Sequence, residues 1–345
     1  MCEGVVHRIE TGSAIDVKRG PYRVPFTKQK VIKELVSKMH RDGIIEPANS
    51  PWRSGVVLVP KKNGKWRFCV DYRGLNEVTK HDSHPFPHIQ DLVQKCAGNK
   101  WYCTLDLRSG YWQIQMAETD KEKTAFAVPD GGLWQFRVMP FGLTNAVATF
   151  QRAMERVLKS VLGDGVFVYI DDVIIMGSSV DETLSRLRNV LKILADNNLV
   201  VNPNNCVWFD TSIKYLGHLL SFEGIATDKS KVEAVQSWEV PNCRQNLRAF
   251  LGLASYYRRF VKDFALISKP LFNLTREKVS FSMSKEATSA FSTLKSALTM
   301  TPILTSPNFA QPFILDAMQV AKELAQFLAK FVTERKWSLN ITASS

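Results

Sequence analysis

The sequence predicts an α+β fold in which a mixed body is followed by a smaller helical module. Asn63-Gly64 stands between two strand-like runs and is the strongest short signal for a β-hairpin. Strand-like and amphipathic helical segments then alternate up to about residue 225, and beyond about residue 227 only helical patterns continue. We therefore expect an α+β body followed by a helical, basic module.

The composition is that of a soluble globular protein. The chain has 345 residues, of which 45% are hydrophobic and 10% aromatic, so it can bury one large core or several smaller ones. Its longest apolar stretch, residues 166–176, is interrupted by two aspartates and is too short to span a bilayer. Residues 1–10 contain no secretory apolar core, so we expect an intracellular protein, either cytoplasmic or nuclear.

Charge and cysteine content narrow the class further. Lys and Arg number 45 against 33 Asp and Glu, which gives a net charge of +12. This excess favours a polyanionic partner, either nucleic acid or an anionic membrane surface. The six cysteines are scattered without a Cys-x-x-Cys pair, so neither a zinc site nor a disulfide framework is expected.

The elements of the body follow from apolar periodicity and from the residues that start and end each segment. They are a helix from the N-cap Thr27 to Gly43, strands at 56–59 and 66–70, a strand at 101–107 that ends at Asp106, a helix at 146–162, strands at 166–170 and 173–176 that turn at Asp171-Asp172, a helix carrying Leu184, Leu187, Leu191 and Leu194, and a strand at 214–221.

The C-terminal module is predicted to contain three helices separated by prolines. These helices span 229–238, 245–264 and 285–298, and the prolines are Pro241, Pro270 and Pro302. The basic side chains of the module include Arg244, Arg248, Arg258, Arg259 and Lys262.

The sharpest chemical feature is the pair Asp171-Asp172 between two apolar strands. Adjacent carboxylates repel each other and are costly to desolvate unless water or a cation compensates them. A solvated turn is the alternative interpretation of this pair. Asp106 ends another apolar strand and, taken alone, suits a helix cap or a salt-bridge partner.

Taken together, the three acids suggest a site for divalent cations. Carboxylate oxygens suit Mg²⁺, which keeps water and substrate phosphates as its other ligands. Two such ions, about 3.5 to 4 Å apart, activate a 3′ hydroxyl and stabilise the departing pyrophosphate in polymerases. That reaction needs no nucleophilic side chain, and Mn²⁺ is a substitute for Mg²⁺.

Three motifs contain or accompany these acids. They are Leu-Asp-Leu-Arg-Ser-Gly-Tyr-Trp-Gln-Ile at 105–114, Met-Pro-Phe-Gly-Leu-Thr-Asn-Ala at 139–146 and Tyr-Ile-Asp-Asp at 169–172. In this order they closely resemble the polymerase motifs of reverse transcriptases from long-terminal-repeat retrotransposons of the Ty3/gypsy type. The resemblance covers about residues 7–316, including the flanking motifs at 7–12, 66–76, 215–218 and 250–260. It implies a right-hand polymerase with fingers, palm and thumb.

The resemblance also implies roles for individual residues. The catalytic, metal-binding acids are Asp106, Asp171 and Asp172, with the backbone carbonyl of Leu107 as a further metal ligand. The nucleotide-binding residues are Lys61, Lys62, Lys65 and Arg67 on the basic hairpin, and Tyr111, Phe141 and Gly142 beneath the nucleotide. The primer grip corresponds to Tyr215, Leu216, Gly217 and His218.

Several of these assignments have simpler alternatives. Either Lys61 or Lys62 makes the triphosphate contact, and a solvated hairpin tip is the alternative interpretation of all four basic residues. Tyr111, which the family uses to exclude a 2′ hydroxyl, could be a core tyrosine, and Phe141 an ordinary core residue.

The implied activity is RNA-directed DNA polymerisation, in which a dNTP is added to a primer 3′ hydroxyl on an RNA or DNA template with two Mg²⁺ ions. Template binding is expected to depend on backbone charge and shape rather than on base sequence. No membrane partner is expected, and the sequence leaves the oligomeric state open. The alternative from another class is a catalytically silent, nucleic-acid-binding remnant of a retroelement.

Two departures from the family pattern concern the helix at 146 and the C-terminus. Val147 replaces a family proline, which predicts a looser helix start. Asp316 matches the first acid of a ribonuclease H domain, but residues 322–345 resemble nothing in that domain and suggest an apolar-rich helix around 324–331. Ribonuclease H activity is therefore not expected.

The predicted organisation has four parts. These are an N-terminal segment at 1–26 that follows a missing protease, fingers and palm at 27–225, thumb or connection helices at 226–310, and a truncated ribonuclease H start with a divergent tail at 311–345.

Overall fold

The structure, a computed structural model, describes residues 2, 4–20, 22–60, 64, 66–129, 132–277, 279–300 and 304, and the backbone of 314–318 and 338–342. Within these residues the helices are α1 (Phe26–Arg41), α2 (Arg73–Val78), α3 (Ile89–Cys96), α4 (Ala146–Val157), α5 (Val180–Asp196), α6 (Lys229–Gln236), α7 (Arg244–Tyr256), α8 (Phe264–Leu274) and α9 (Lys285–Thr299). The strands are β1 (Val6–His7), β2 (Ile45–Pro47), β3 (Gly55–Pro60), β4 (Trp66–Asp71), β5 (Trp101–Asp106), β6 (Gln115–Met116), β7 (Phe126–Ala127), β8 (Leu133–Phe136), β9 (Val166–Tyr169), β10 (Asp172–Gly177), β11 (Val207–Asp210), β12 (Ser212–Tyr215), β13 (His218–Ser221), β14 (Gly224–Thr227), β15 (Ile314–Met318) and β16 (Ser338–Thr342). The predicted α+β class is confirmed.

A central antiparallel sheet in the order β11-β5-β10-β9 separates two hydrophobic cores. Side chains alternate between the two faces of a strand. Leu105 and Val173 therefore point into the first core, whereas Tyr102 and Ile174 point into the second. Because both faces of the sheet are covered, polar groups carried by β5 and β10 are accessible only at the strand ends.

The first core joins the central sheet to α1, α4 and α5 and to the N-terminal half of the chain. The sheet β2-β8-β7 and the hairpin β3-β4 lie on this side. The predicted hairpin is confirmed, with Val56 opposite Val70. Helix α1 begins at Phe26, after Pro25, and not at Thr27, and Gly43 follows its end with a φ of +70°.

The second core joins the other face of the central sheet to the sheet β12-β13-β14 and to helices α6 to α9. It includes Phe250 of α7 and Phe291 of α9, whose ring centroids are 4.6 Å apart. Two of the predicted basic side chains help to hold this module together. Arg244 and Arg248 donate hydrogen bonds to backbone carbonyls at and just beyond the end of α8.

Three predicted segments differ from the structure. The helix predicted at 146–162 ends at Val157. It is followed by a turn in which the carbonyl of the fully buried Leu158 accepts hydrogen bonds from the N–H groups of Val161 and Leu162. The strand at 214–221 is a hairpin, β12-β13. The helix at 245–264 is divided after Tyr256 by a 3₁₀ turn, and α8 then contains Pro270 instead of ending at it.

Residues near the N-terminus pack as part of the body, although the sequence placed them in a separate segment. Strand β1 pairs in parallel with β6, and Ile9 exposes only 2% of its surface. The N–H of Ile9 donates to Asp120 at 3.1 Å, and its carbonyl accepts from Lys123 at 2.6 Å. His7 is also buried, with Nδ1 2.8 Å from the hydroxyl of Thr149.

We expect the free energy of unfolding to decrease as the pH falls from 6.5 towards 4. Burial lowers the pKa of His7 to about 4, against the opposing charges of Asp120 and Asp82. The unfolded chain takes up a proton near pH 6.5 that the folded protein accepts only near pH 4, so the loss grows to about 3 kcal/mol. Denaturant unfolding at pH 7 and pH 5 measures this. His7→Gln should lose about 2 kcal/mol less over that interval, and an equal loss in both proteins would contradict the assignment.

The C-terminal strands form a parallel pair in which Asp316 is opposite Asn340. The strand β16 lies within the tail predicted to diverge from the ribonuclease H pattern, a prediction that it does not test, and the helix predicted around 324–331 lies outside the described residues. No helix in the described part of the chain is both long and apolar enough to cross a membrane.

Candidate active site

The three predicted acids meet at one end of the central sheet. Asp106 is the last residue of β5, and Asp172 is the first residue of β10. They are opposite each other in the antiparallel register, which places their Cα atoms about 4.5 to 5.5 Å apart. Asp171 precedes Asp172 in the turn that joins β9 to β10. Motifs that are 65 residues apart in the sequence therefore contribute to one cluster of carboxylates.

The turn between β9 and β10 consists of Ile170 and Asp171, not of Asp171 and Asp172 as the sequence predicted. Tyr169 pairs with Asp172, so Asp172 already belongs to β10. Ile170 has a φ of +56°, which is costly for a β-branched residue. The shift by one residue is what sets Asp172 opposite Asp106.

Gln151 holds this turn from α4. Its Oε1 accepts a 2.6 Å hydrogen bond from the N–H of Ile170, and its Nε2 donates to Glu155 at 2.8 Å. Gln151 is completely buried beside Phe150. The resemblance does not single it out, and the only signal in the sequence is an amide within the buried apolar stripe of a helix.

The electrostatics of the cluster favour a bound cation. One carboxylate oxygen of Asp171, Oδ1, is buried and has no partner among the described residues. Burial, then the charges of Asp172 and Asp106, raise the pKa of Asp171 to about 6. The pKa of Asp172 is raised by desolvation and by Asp106. An unpartnered oxygen among mutually repelling acids fits a divalent cation, which would relieve both costs.

Asp106 differs from the other two acids because amide groups orient it. Asn205 Nδ2 donates to Asp106 Oδ2 at 2.9 Å, and Asn202 Nδ2 lies 3.5 Å from the same oxygen. Neither asparagine belongs to the motifs quoted above. No cluster of three or more His, Cys, Asp or Glu side chains in the described residues forms a ready-made metal site.

The direction of the Leu107 carbonyl, a predicted metal ligand, follows from the hydrogen bonds of its neighbours. The carbonyl of Asp106 accepts from the N–H of Asn202, and the N–H of Arg108 donates to Val200. Successive peptide groups of an extended strand point in opposite directions. The carbonyl of Leu107 therefore points away from these partners, towards the β10 side of β5.

Aromatic rings lie next to the acids. The ring centroid of Tyr111 is 5.0 Å from that of Phe141 and 5.4 Å from that of Phe150. Burial, then the charge of Asp171, raise the pKa of Tyr111 to about 12. A Cβ at Gly110 would lie 2.9 Å from the Phe150 ring and 3.4 Å from Asp171 Oδ1, so this approach requires glycine.

Tyr111→Val is expected to raise the incorporation of ribonucleotides, relative to deoxyribonucleotides, by about tenfold. By the resemblance, the Tyr111 ring is the steric obstacle to a 2′ hydroxyl, and the smaller side chain would remove it. Single-nucleotide incorporation with rNTP and dNTP measures the ratio. An unchanged ratio in a folded, active variant would return Tyr111 to a purely structural role.

Phe141 and Gly142 form an exposed turn close to these rings. Phe141 is 50% exposed, and Gly142 has a φ of +95° that favours glycine. Asn76 fixes the turn by donating to the carbonyl of Gly142 at 2.8 Å and accepting from the N–H of Thr144 at 2.9 Å. Both predicted nucleotide-binding residues thus lie beside Tyr111.

The basic hairpin is described only in part. Arg67 lies exposed on β4, opposite Val59. Lys61, Lys62 and Lys65 lie outside the described residues.

The predicted primer grip is divided between surface and core. Leu216 and Gly217 form the turn between β12 and β13, with φ values of +44° and +75°. The side chains of Tyr215 and His218 are instead buried, with 3% and 5% exposure. Strands β12 and β13 direct both side chains towards the second core, and the assignment of the four residues to a primer grip stays a prediction.

Val147 lies in the first turn of α4, which still begins at Ala146. The residue that precedes the helix, Asn145, is held by hydrogen bonds to the backbone of Lys80 and Asp82. These bonds secure the start of the helix independently of the residue at 147.

The architecture defines a right-hand polymerase, with the acids on the palm sheet and the helices α6 to α9 beside it. It is similar to a foamy viral protease-reverse transcriptase (dRH) in complex with double-stranded DNA, with a TM-score of 0.83 and 25% identity over 91% of this chain and 56% of that chain. A foamy viral protease-reverse transcriptase in complex with an RNA/DNA hybrid gives a TM-score of 0.79 and 24% identity, over 92% of this chain and 43% of that chain.

Sequence comparison assigns the family. Residues 59–220 match the family described as reverse transcriptase (RNA-dependent DNA polymerase). The Pol polyprotein from transposon opus of Drosophila melanogaster is 38% identical over 324 residues, which is 89% of this chain and 32% of the polyprotein. That from transposon gypsy of the same organism is 37% identical over 317 residues, or 87% and 30%. Residues 59–220 therefore form a reverse transcriptase domain, and the chain is a reverse transcriptase fragment similar to the Pol polyproteins of Ty3/gypsy-type retrotransposons. It spans about a third of the length of these curated relatives.

Proposed function

We propose that this chain is an RNA-directed DNA polymerase that adds dNTPs to a primer 3′ hydroxyl on an RNA or DNA template. The observation that carries the proposal is the convergence of Asp106, Asp171 and Asp172 at the open end of the palm sheet. The orphaned Oδ1 of Asp171 supports it, since a purely structural turn has no use for such an atom.

The side chains divide the work of this reaction. Asp106, Asp171, Asp172 and the Leu107 carbonyl would hold two Mg²⁺ ions, or Mn²⁺ as a substitute. When bound, the ions stabilise the negative charge that develops on the transferring phosphate. Asn205 keeps one oxygen of Asp106 in a fixed direction.

Other side chains orient the nucleotide. The ring cluster of Tyr111, Phe141 and Phe150 forms an apolar floor beside Asp171. Arg67 offers a planar, permanently charged donor group for triphosphate oxygens, and Lys61, Lys62 and Lys65 are proposed to assist it.

Primer extension on poly(rA)·oligo(dT) with Mg²⁺ tests the proposal. Template-dependent incorporation of dTTP is the expected result. Tight binding of the primer-template without incorporation would support the catalytically silent remnant instead, and absence of both would contradict either function.

Binding of primer-template is expected to weaken at least about tenfold when the salt concentration rises from 50 to 200 mM. The chain carries a net charge of +12, and each phosphate that it neutralises releases condensed counterions. Fluorescence anisotropy with a labelled primer measures the affinity. An affinity that is indifferent to salt would mean that backbone phosphates contribute little to recognition.

A further inference from the structure

Two consecutive tyrosines at the end of α7 hold the turn between β12 and β13. Tyr256 donates its hydroxyl to the carbonyl of Leu216, and Tyr257 donates its hydroxyl to the carbonyl of Gly217, each at 2.6 Å. The Nδ1 of His218 also lies 3.0 Å from the Leu216 carbonyl. Both carbonyls of the turn are therefore occupied by groups from one side.

The opposite side of the same turn presents two backbone donors. The N–H groups of Leu216 and Gly217 donate to no group within the described part of the chain. Both residues have positive φ, so their N–H groups follow each other in a turn conformation of the kind that binds anions. The carbonyls of the turn are thus hydrogen-bonded within the protein, whereas its two N–H groups have no acceptor among the described residues.

The turn is also close to the catalytic acids. Leu216 and Tyr169, the residue that precedes the Ile170–Asp171 turn, pack against the same core. Burial, followed by the charges of Cys96 and Asp172, raises the pKa of Tyr215, so the base of the hairpin lies within electrostatic reach of the catalytic cluster. The turn therefore lies on the part of the palm that carries the end of β9 and the start of β10.

We propose that Tyr256 and Tyr257 are positioning residues that direct the N–H groups of the 216–217 turn at a backbone phosphate of the primer strand. This inference rests on the proposed function. Because α7 belongs to the helical module, the two hydroxyls link the position of that module to the position of the turn that would bind the primer. The tyrosine rings have a separate role, since both pack against His218 with centroids 5.2 and 5.6 Å away.

Phenylalanine variants separate the hydroxyl from the ring. Tyr256→Phe, Tyr257→Phe and the double variant keep the packing and remove only the bonds to the turn. Tyr102→Phe is the matched control, because Tyr102 donates to the carbonyl of Ser221, at the other end of the same sheet. The control loses the same type of bond without changing the turn.

The measurement is a double-mutant cycle in which protein variants are combined with chemically modified primers. Primer-template affinity is determined by anisotropy, without dNTP, for primers in which one of the five phosphates nearest the 3′ end is an uncharged methylphosphonate. In the wild-type protein, one position should weaken binding about tenfold, since hydrogen bonds to charged groups are among the strongest. In the double variant the same modification should cost less than about twofold, whereas Tyr102→Phe should retain the full loss.

Several results would overturn the proposal. One is a methylphosphonate penalty that is the same in the wild-type protein and the double variant. Another is a penalty that appears only when the template strand is modified. Affinity is measured without catalysis, so a wild-type protein that binds but does not extend the primer would reject the proposed polymerase activity and still test the tyrosines.

Discussion

Asp106→Asn and Asp171→Asn are each expected to reduce primer extension by about 10³-fold or more, while primer-template affinity changes by less than about threefold. Either change removes a negative charge from the acid cluster without changing the size of the side chain. Loss of charge stabilisation worth several kcal/mol corresponds to a rate loss of this size. Steady-state extension on poly(rA)·oligo(dT), with anisotropy for binding, measures both quantities.

Asp196→Asn is the matched control, because Asp196 is an exposed acid at the end of α5. It loses the same charge, and its charge does not contribute to the pKa shifts of Asp171 and Asp172, so it should retain full activity. Extension above about a tenth of the wild-type rate by Asp106→Asn or Asp171→Asn would reject the catalytic assignment. A matched loss of binding would instead place the acids in folding or strand recognition.

The acid cluster could be predicted from sequence because each acid lies in a short motif with a clear pattern. Asp106 ends an apolar strand, and Asp171 and Asp172 lie between two others. A sheet that is buried on both faces offers such residues only its ends. Strand pattern therefore places each acid at a strand end, and the pairing of β5 with β10, which that pattern does not contain, brings the acids together.

The conformation of the two functional turns could not be predicted in the same way. Ile170 and Leu216 both have positive φ, a conformation for which local propensity selects glycine or asparagine. In each turn the compensation comes from a distant helix. Gln151 of α4 binds the first turn, and Tyr256 of α7 binds the second. The residues next to each turn in the sequence do not indicate which distant side chain will bind it.

The same reasoning explains why the sequence could not show which side chains of the predicted primer grip are buried and which residues lie at the surface. In a continuous strand at 214–221, successive side chains would point to opposite faces, and Tyr215 and His218 would lie on different faces. The hairpin instead makes Tyr215 and His218 a cross-strand pair whose side chains enter the same core. Only the two turn residues between them are left at the surface, and their contribution is made by backbone groups.

Gln151→Met is expected to lower the rate of primer extension by about 10- to 100-fold. The substitution keeps the length of a completely buried side chain but removes the acceptor for the N–H of Ile170. Without that bond, nothing described in the structure offsets the cost of the positive φ at Ile170. The turn then relaxes, and Asp171 and Asp172 lose the arrangement in which they face Asp106.

Gln135→Met provides the control for this prediction. Gln135 on β8 donates to Glu46 at 2.8 Å, just as Gln151 donates to Glu155 at 2.8 Å, but it makes no contact with the acid cluster. Both variants lose an amide-to-carboxylate bond, and Gln151→Met loses the bond to Ile170 in addition, so denaturant unfolding is used to compare their activities at equal folded fraction. Only Gln151→Met should also need more Mg²⁺ for half-maximal extension, because the spacing of the carboxylates has changed. If the two variants lose activity only in proportion to their unfolded fraction, Gln151 stabilises the palm without positioning its acids.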